Sequence, residues 1–278
     1  ALDANTTGGN NVAVGEGALG ANTTASNNTA VGRYALNENV TGMENTAMGL
    51  SALRVNTGNY NTAFGKSALE NNTSGSPNDA FGAYTLDANT TGGNNVAIGY
   101  ASLSSNTTAS DNVAVGYYAL YANTTGANNT AVGKRALDAN TTASNNTAVG
   151  KDSLTSNTTG TENTAVGGFA LQANTTANNN TSVGYTALYT NTTGANSTAV
   201  GRAALYTSNG DNNTAVGQRA LYANTTGAMN NAFGSGALGA VTTGEKNIGI
   251  GYLDGAAITD SEDNVAVGQQ ALEGNSTG

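Results

Sequence analysis

Tyrosine and the basic residues are what this chain offers for contact chemistry. It has twelve Tyr and nine Lys or Arg in 278 residues, with no His, Cys or Trp. Without imidazole or thiol there is no zinc finger, haem ligand, thiol nucleophile or catalytic His. Carboxylates such as Asp87, Asp138, Asp152 and Glu162 stand singly, not as the facing pair that acid–base hydrolysis needs. Asp254, Asp260, Glu262 and Asp263 do cluster, but their spacing matches no calcium loop, so they read as a solvated insertion or kink. Gly249-Ile250-Gly251 belongs to a repeated phrase and is not a phosphate loop. The sequence therefore predicts no enzyme, no cofactor and no metal. A net charge of −9 opposes nucleic-acid binding, and no apolar run is long enough to span a bilayer.

The chemistry-bearing residues follow a period. A phrase of the form N-N-T/V-A-V-G recurs from Asn10–Gly15 to Asp263–Gly268 in sixteen copies. The step between its glycines is 17 residues, except 16 from Gly49 to Gly65 and from Gly201 to Gly217. The unit is N-N-T/V-A-V-G-x-x-A-L-x-A-N-T-T-G-x, numbered 1 to 17 below. Eleven tyrosines and eight basic residues fall at positions 7, 8 and 11. The expected presenting face is Tyr100, Tyr117, Tyr118, Tyr121, Tyr185, Tyr189, Tyr206 and Tyr222 with Arg33, Arg135, Arg202 and Arg219. Tyr and Arg are the types favoured at contact sites, and arrayed Tyr also suits sugar rings.

The elements that position them follow from the unit. A Gly in every copy, with Val, Thr and Asn, argues against helices. Two short apolar runs, positions 2–6 and 8–12, separated by turn-forming N-T-T-G, predict two strands per coil of an all-β parallel β-solenoid. A flattened two-sided β-roll of about sixteen coils fits 17 residues better than a triangular helix. Residues 1–278 form one repeat domain, and cut units at both ends suggest a segment of a longer fibre.

Period-two alternation along a strand sorts the columns into two faces. Leu at position 10 and the apolar residues at position 5 (Val14, Phe64, Phe81, Ile98) should be core, with position 3 beside them. Position 4 must then face outward, and its near-invariant Ala suggests close approach of a second backbone. Ala13, Ala30, Ala47, Ala63, Ala114, Ala131, Ala148 and Ala165 are thus expected to line a self-association interface. Asn at positions 2 and 13, although often in N-x-S/T triplets, should form structural ladders rather than glycosylation sites.

The phrase N-N-T/V-A-V/I-G resembles the repeat of YadA-like head domains of trimeric autotransporter adhesins. The longer NTAVGxxALxxNTTG resembles repeats of phage and bacterial tail-fibre-type proteins. The unit is longer than the usual head repeat, and Thr often replaces its first Val. The resemblance implies a left-handed β-roll, trimerised about the fibre axis with small residues against it, and a role in surface attachment. The sequence thus predicts an extracellular, cell-surface or virion-surface fibre whose partners are its own copies and a host receptor or glycan. A purely structural self-assembling filament is the alternative. Ice binding by Thr columns is less favoured, because the first-strand Thr column would share a core face with Phe64, Phe81 and Phe233.

Overall fold

The computed structural model describes residues 1–255 and 257–274; the closing NSTG lies outside the described residues. The chain divides into two units, Ala1–Ala143 and Ser144–Gly278. Each is a parallel β-solenoid, and no helix occurs among the described residues. The first unit contains β1 (Val12–Val14), β2 (Thr29–Val31), β3 (Thr46–Met48), β4 (Thr62–Phe64), β5 (Asn78–Phe81), β6 (Asn95–Ile98), β7 (Val113–Val115) and β8 (Thr130–Val132). The second contains β9 (Thr147–Val149), β10 (Thr164–Val166), β11 (Thr181–Val183), β12 (Thr198–Val200), β13 (Thr214–Val216), β14 (Asn231–Phe233), β15 (Ile248–Ile250) and β16 (Val265–Val267). Within each unit every strand pairs in parallel with the next, like position on like position: Thr164 opposite Thr181, Ala165 opposite Ser182, Val166 opposite Val183.

The structure differs from the sequence expectation in two ways. First, the strand faces the other way. Position 4 is buried inside its own coil: Ala30, Ala47, Ala63, Ala114, Ala131, Ala148 and Ala165 are fully inaccessible within the single chain, and Ala13 in the first coil is half-buried. Those seven have no surface to give a second chain, so the Ala column is not a self-association seam. Position 5 points out instead: Val14, Phe81, Ile98, Phe233 and Ile250 are all exposed large apolar groups. The cause is the width of the interior. Position 4 sits against the Leu of position 10, and a methyl group is what fits. Where β15 has Gly249, an added Cβ would lie 2.6 Å from Leu238 Cγ. Ser182, the one hydroxyl at position 4, is buried and donates to the Ala187 carbonyl at 2.8 Å.

Second, each coil has one strand, not two. The run from position 7 to 12 is a chain of turns, with left-handed backbone at positions 8 and 10. Tyr34 and Leu36 have φ of 59° and 49°, and the pattern repeats at Phe169 and Leu171. Left-handed backbone costs a non-glycine residue roughly 1–2 kcal/mol. The return is coil-to-coil hydrogen bonding without a strand: Tyr34 N donates to Glu16 O at 2.9 Å, Leu19 N to Ala35 O at 3.0 Å, Leu171 N to Ala187 O at 2.9 Å. It also turns each Leu inward, where Leu19 to Leu205 are fully buried and each contributes about 1.5–3 kcal/mol.

The remaining interior is asparagine. At position 2 the side-chain oxygen accepts the backbone amide of the same position one coil on, as Asn28 does from Asn45 N at 2.9 Å. Its amide group donates across to position 16, as Asn28 does to Gly42 O at 2.9 Å. At position 13 each amide donates to the preceding side chain and to its own turn, as Asn106 does to Asn89 Oδ1 at 2.9 Å and Ala109 O at 3.0 Å. These Asn are buried in the folded coil, as expected of ladders. Both 16-residue coils lose their residue in the turn after position 13, so Thr46 still meets Thr62 and Thr198 still meets Thr214. The acidic stretch after Gly251 is no insertion. It occupies a full 17-residue step in which Asp254 and Gly255 replace the usual Ala-Leu. Asp254 is buried while Asp260, Glu262 and Asp263 are exposed, and no cluster able to hold a metal occurs among the described residues.

Candidate functional site

Positions 7, 8 and 11 lie on the turn leg, where the left-handed residue at position 8 throws its side chain out beside its neighbours at 7 and 11. Stacking in register then brings residues 17 apart into contact. This produces one aromatic cluster in each unit.

In the first unit Tyr100 and Tyr117 stack with centroids 5.7 Å apart, and Tyr118 meets Tyr117 edge-on at 4.3 Å and Tyr121 at 4.8 Å. Tyr84 extends the cluster, edge-on to Tyr100 at 5.8 Å, with Lys66 5.1 Å above its own ring. Hydrogen bonding with Tyr117, then burial, raises the Tyr118 phenol above its ordinary pKa. One cavity here, of about 470 Å³, is lined by Tyr117, Tyr118, Tyr121, Lys134, Arg135 and Asp138. Its arginine is neutralised: Arg135 Nε lies 2.8 Å from Asp138 Oδ2. A second contains Asp87 and Ser104, whose hydroxyl donates to Asp87 Oδ1 at 2.6 Å. Burial raises that carboxyl, and the Ser104 hydrogen bond works against the shift.

In the second unit Tyr189, Tyr206 and Tyr222 form a row of stacked rings at 5.2 and 5.3 Å. Phe169 meets Tyr185 edge-on at 5.8 Å, and the Arg219 guanidinium lies 4.7 Å above Tyr222. These residues, with Thr186, Arg202 and Ala203, line a cavity of about 370 Å³. No carboxylate lines it.

Of the twelve expected presenting residues, eleven thus fall into the two clusters. Arg33 stands apart, bonded to Glu16 at 3.0 Å and lying 4.5 Å above Tyr34. Residue types alone did not single out Phe169, Thr186 and Ala203. Small residues at position 8 between large ones are the signal, since they open a hollow in the ridge.

The outward strand face is the second candidate surface. In the second unit β9 to β13 place five Thr at position 3 and five Val at position 5 in two straight columns. In the first unit the position 5 column runs through Met48, Phe64, Phe81 and Ile98, with Phe64 and Phe81 stacked at 5.2 Å. Asp79, at position 3 of β5, is the one charged residue in the strands of that unit. No helix is long and apolar enough to cross a membrane among the described residues. No protein-family model, curated protein or solved structure matches the chain.

Proposed function

We propose that the chain is a fibrous, surface-exposed attachment protein, extracellular on a cell or virion, which self-associates through its outward strand face and presents its aromatic, basic ridge to a receptor or glycan. The observation that carries this reading is the division of labour across each coil. The interior is filled by Ala, Leu and Asn, yet in each unit a column of Val, Ile, Phe and Met lies on the outer face of the sheet, exposed at Met48, Phe81, Ile98, Phe233 and Ile250 and half-buried along the Val run. Contiguous exposed apolar surface marks an interaction site. Its occupant is a second copy of the chain: the column repeats at the coil rise, and another copy presents the same spacing. A trimer, as the repeat's resemblance implies, closes three such faces around one axis.

Light scattering coupled to size exclusion tests this. The chain should elute as three copies, and Val166→Lys with Val183→Lys should elute as one copy with unchanged circular dichroism. A monomeric unsubstituted chain at micromolar concentration removes the self-association. For attachment, particles coated with the chain should be retained on glycan-coated surfaces, less so after Tyr117, Tyr118 and Tyr121 are changed to Ala.

One observation favours a second reading. The Thr column of β9 to β13 lies half-exposed on the outer face, not in a core, so it is available to order water as an ice plane would. Thermal hysteresis by the chain would support it.

A further inference from the structure

We propose that the arginine-bearing cavity of the second unit binds an anionic glycan; this rests on the attachment reading and names the ligand class. The shape comes from position 8. Phe169 and Arg219 bound the hollow, and Thr186 and Ala203 form its floor. One side is the Tyr189, Tyr206, Tyr222 row. Because those rings stack face to face, with planes within 20° of each other, their faces are used and their edges and hydroxyls remain. A row of phenol hydroxyls suits a ligand rich in hydroxyls, since each can donate and accept.

Charge supplies the rest. The chain carries −9, and three of its five arginines are held by carboxylates: Arg33 by Glu16, Arg54 by Glu38 and Glu70, Arg135 by Asp138. The other two, Arg202 and Arg219, both line this cavity, and neither is within ion-pair distance of a carboxylate among the described residues. Two exposed guanidinium groups without counterions, on an otherwise acidic chain, complement a carboxylate or a sulfate. Their planar forks match the paired oxygens of either. Two cations are too few for a nucleic-acid backbone, where binding proteins neutralise several phosphates. An acidic peptide would meet the arginines but leave the hydroxyl row unused. The first unit is an internal contrast, because there Asp138 already holds Arg135.

Titration calorimetry on the full chain tests this, with oligogalacturonate and a heparin-derived oligosaccharide as probes. A neutral cello-oligosaccharide and polyglutamate serve as controls. One or both anionic saccharides should bind, and which one does identifies the recognised group as uronate or sulfate. Arg202→Gln with Arg219→Gln should weaken binding about tenfold or more, while Lys246→Gln should leave it unchanged. Ala203→Tyr should also weaken it by filling the floor with both charges kept. That fold is tolerated, since Tyr34 and Tyr84 occupy the same position at φ 59° and Ala203 is at 56°. Equal binding of the neutral saccharide, equal binding of polyglutamate, or full affinity in the double Arg variant would each overturn the proposal. Adhesion of coated particles that survives the double Arg variant leaves attachment standing and removes the groove. Saccharide binding without adhesion does the reverse.

Discussion

Asp254 is the residue at which the repeat departs furthest from its own rule. It takes the place of a core Ala near Leu238, and its buried carboxylate oxygens find no side-chain partner among the described residues, only weak help from the backbone amides of Ile250 and Asp254 itself. Gly249 makes the room: a Cβ there would lie 3.1 Å from Asp254 Oδ2. The position 13 column changes with it, since Val241 and Ile258 replace Asn. The preceding Asn224 is left with an unpaired oxygen, because the next coil no longer offers an amide. Burial pushes the Asp254 carboxyl up to about 6 from its ordinary 3.8. A raised acid binds its proton more tightly folded than unfolded, so its protonated form is the favoured one. Stability from this group is full below about pH 4, falls as pH rises through about 6 and is flat above. Asp254→Asn should therefore raise the unfolding free energy at pH 7 by on the order of 1–3 kcal/mol, seen as a higher urea midpoint, and leave it unchanged near pH 4. Equal effects at both pH values would mean that the carboxyl is not the cause.

At the scale of the coil, glycine at position 6 closes the strand. Gly150 has φ of 138°, and an added Cβ would lie 2.5 Å from the Gly167 carbonyl oxygen. Gly168, one position further on, would place its Cβ 3.4 Å from a Tyr185 ring carbon. Gly150→Ala should lower the melting temperature sharply, since both strain and a backbone clash oppose it, while Gly168→Ala should shift it little. Comparable losses would show that position 6 is not the constrained one. The period, the parallel stacking, the Leu column and the Asn ladders were all legible in the sequence, because each depends on identity between coils. Strand orientation was not, because alternation over three residues fits either face. The deciding signal was volume. Position 5 runs from Val to Met and Phe, which a close-packed column cannot absorb. Position 4 is Ala except at Ser182 and Gly249, and position 10 is Leu except at Gly255, so neither column ever takes a larger residue. The turn leg that stands in place of a second strand is hidden for another reason: left-handed backbone at Leu and Tyr has no signature in residue type. The tyrosine and arginine clusters were visible as columns, but the hollow among them needed the side chains' directions.

For the whole molecule, the two proposed surfaces differ in physics, and salt separates them. The outward strand face proposed as the seam would join copies by apolar contact, and the strands of the two units carry one charged residue there, Asp79 in the first unit. Screening has little to act on there, and the net charge of −9 means that copies repel at low salt. Raising sodium chloride from about 50 mM to about 500 mM shortens the screening length and should strengthen assembly. Sulfate should do so further by favouring apolar burial. The glycan groove rests on two guanidinium groups in water, so its affinity should fall over the same range. Scattering mass and saccharide affinity measured on one sample across that range should thus move in opposite directions. If assembly weakens along with saccharide binding, charge rather than the Val, Ile and Phe column joins the copies, and the apolar seam is the wrong surface.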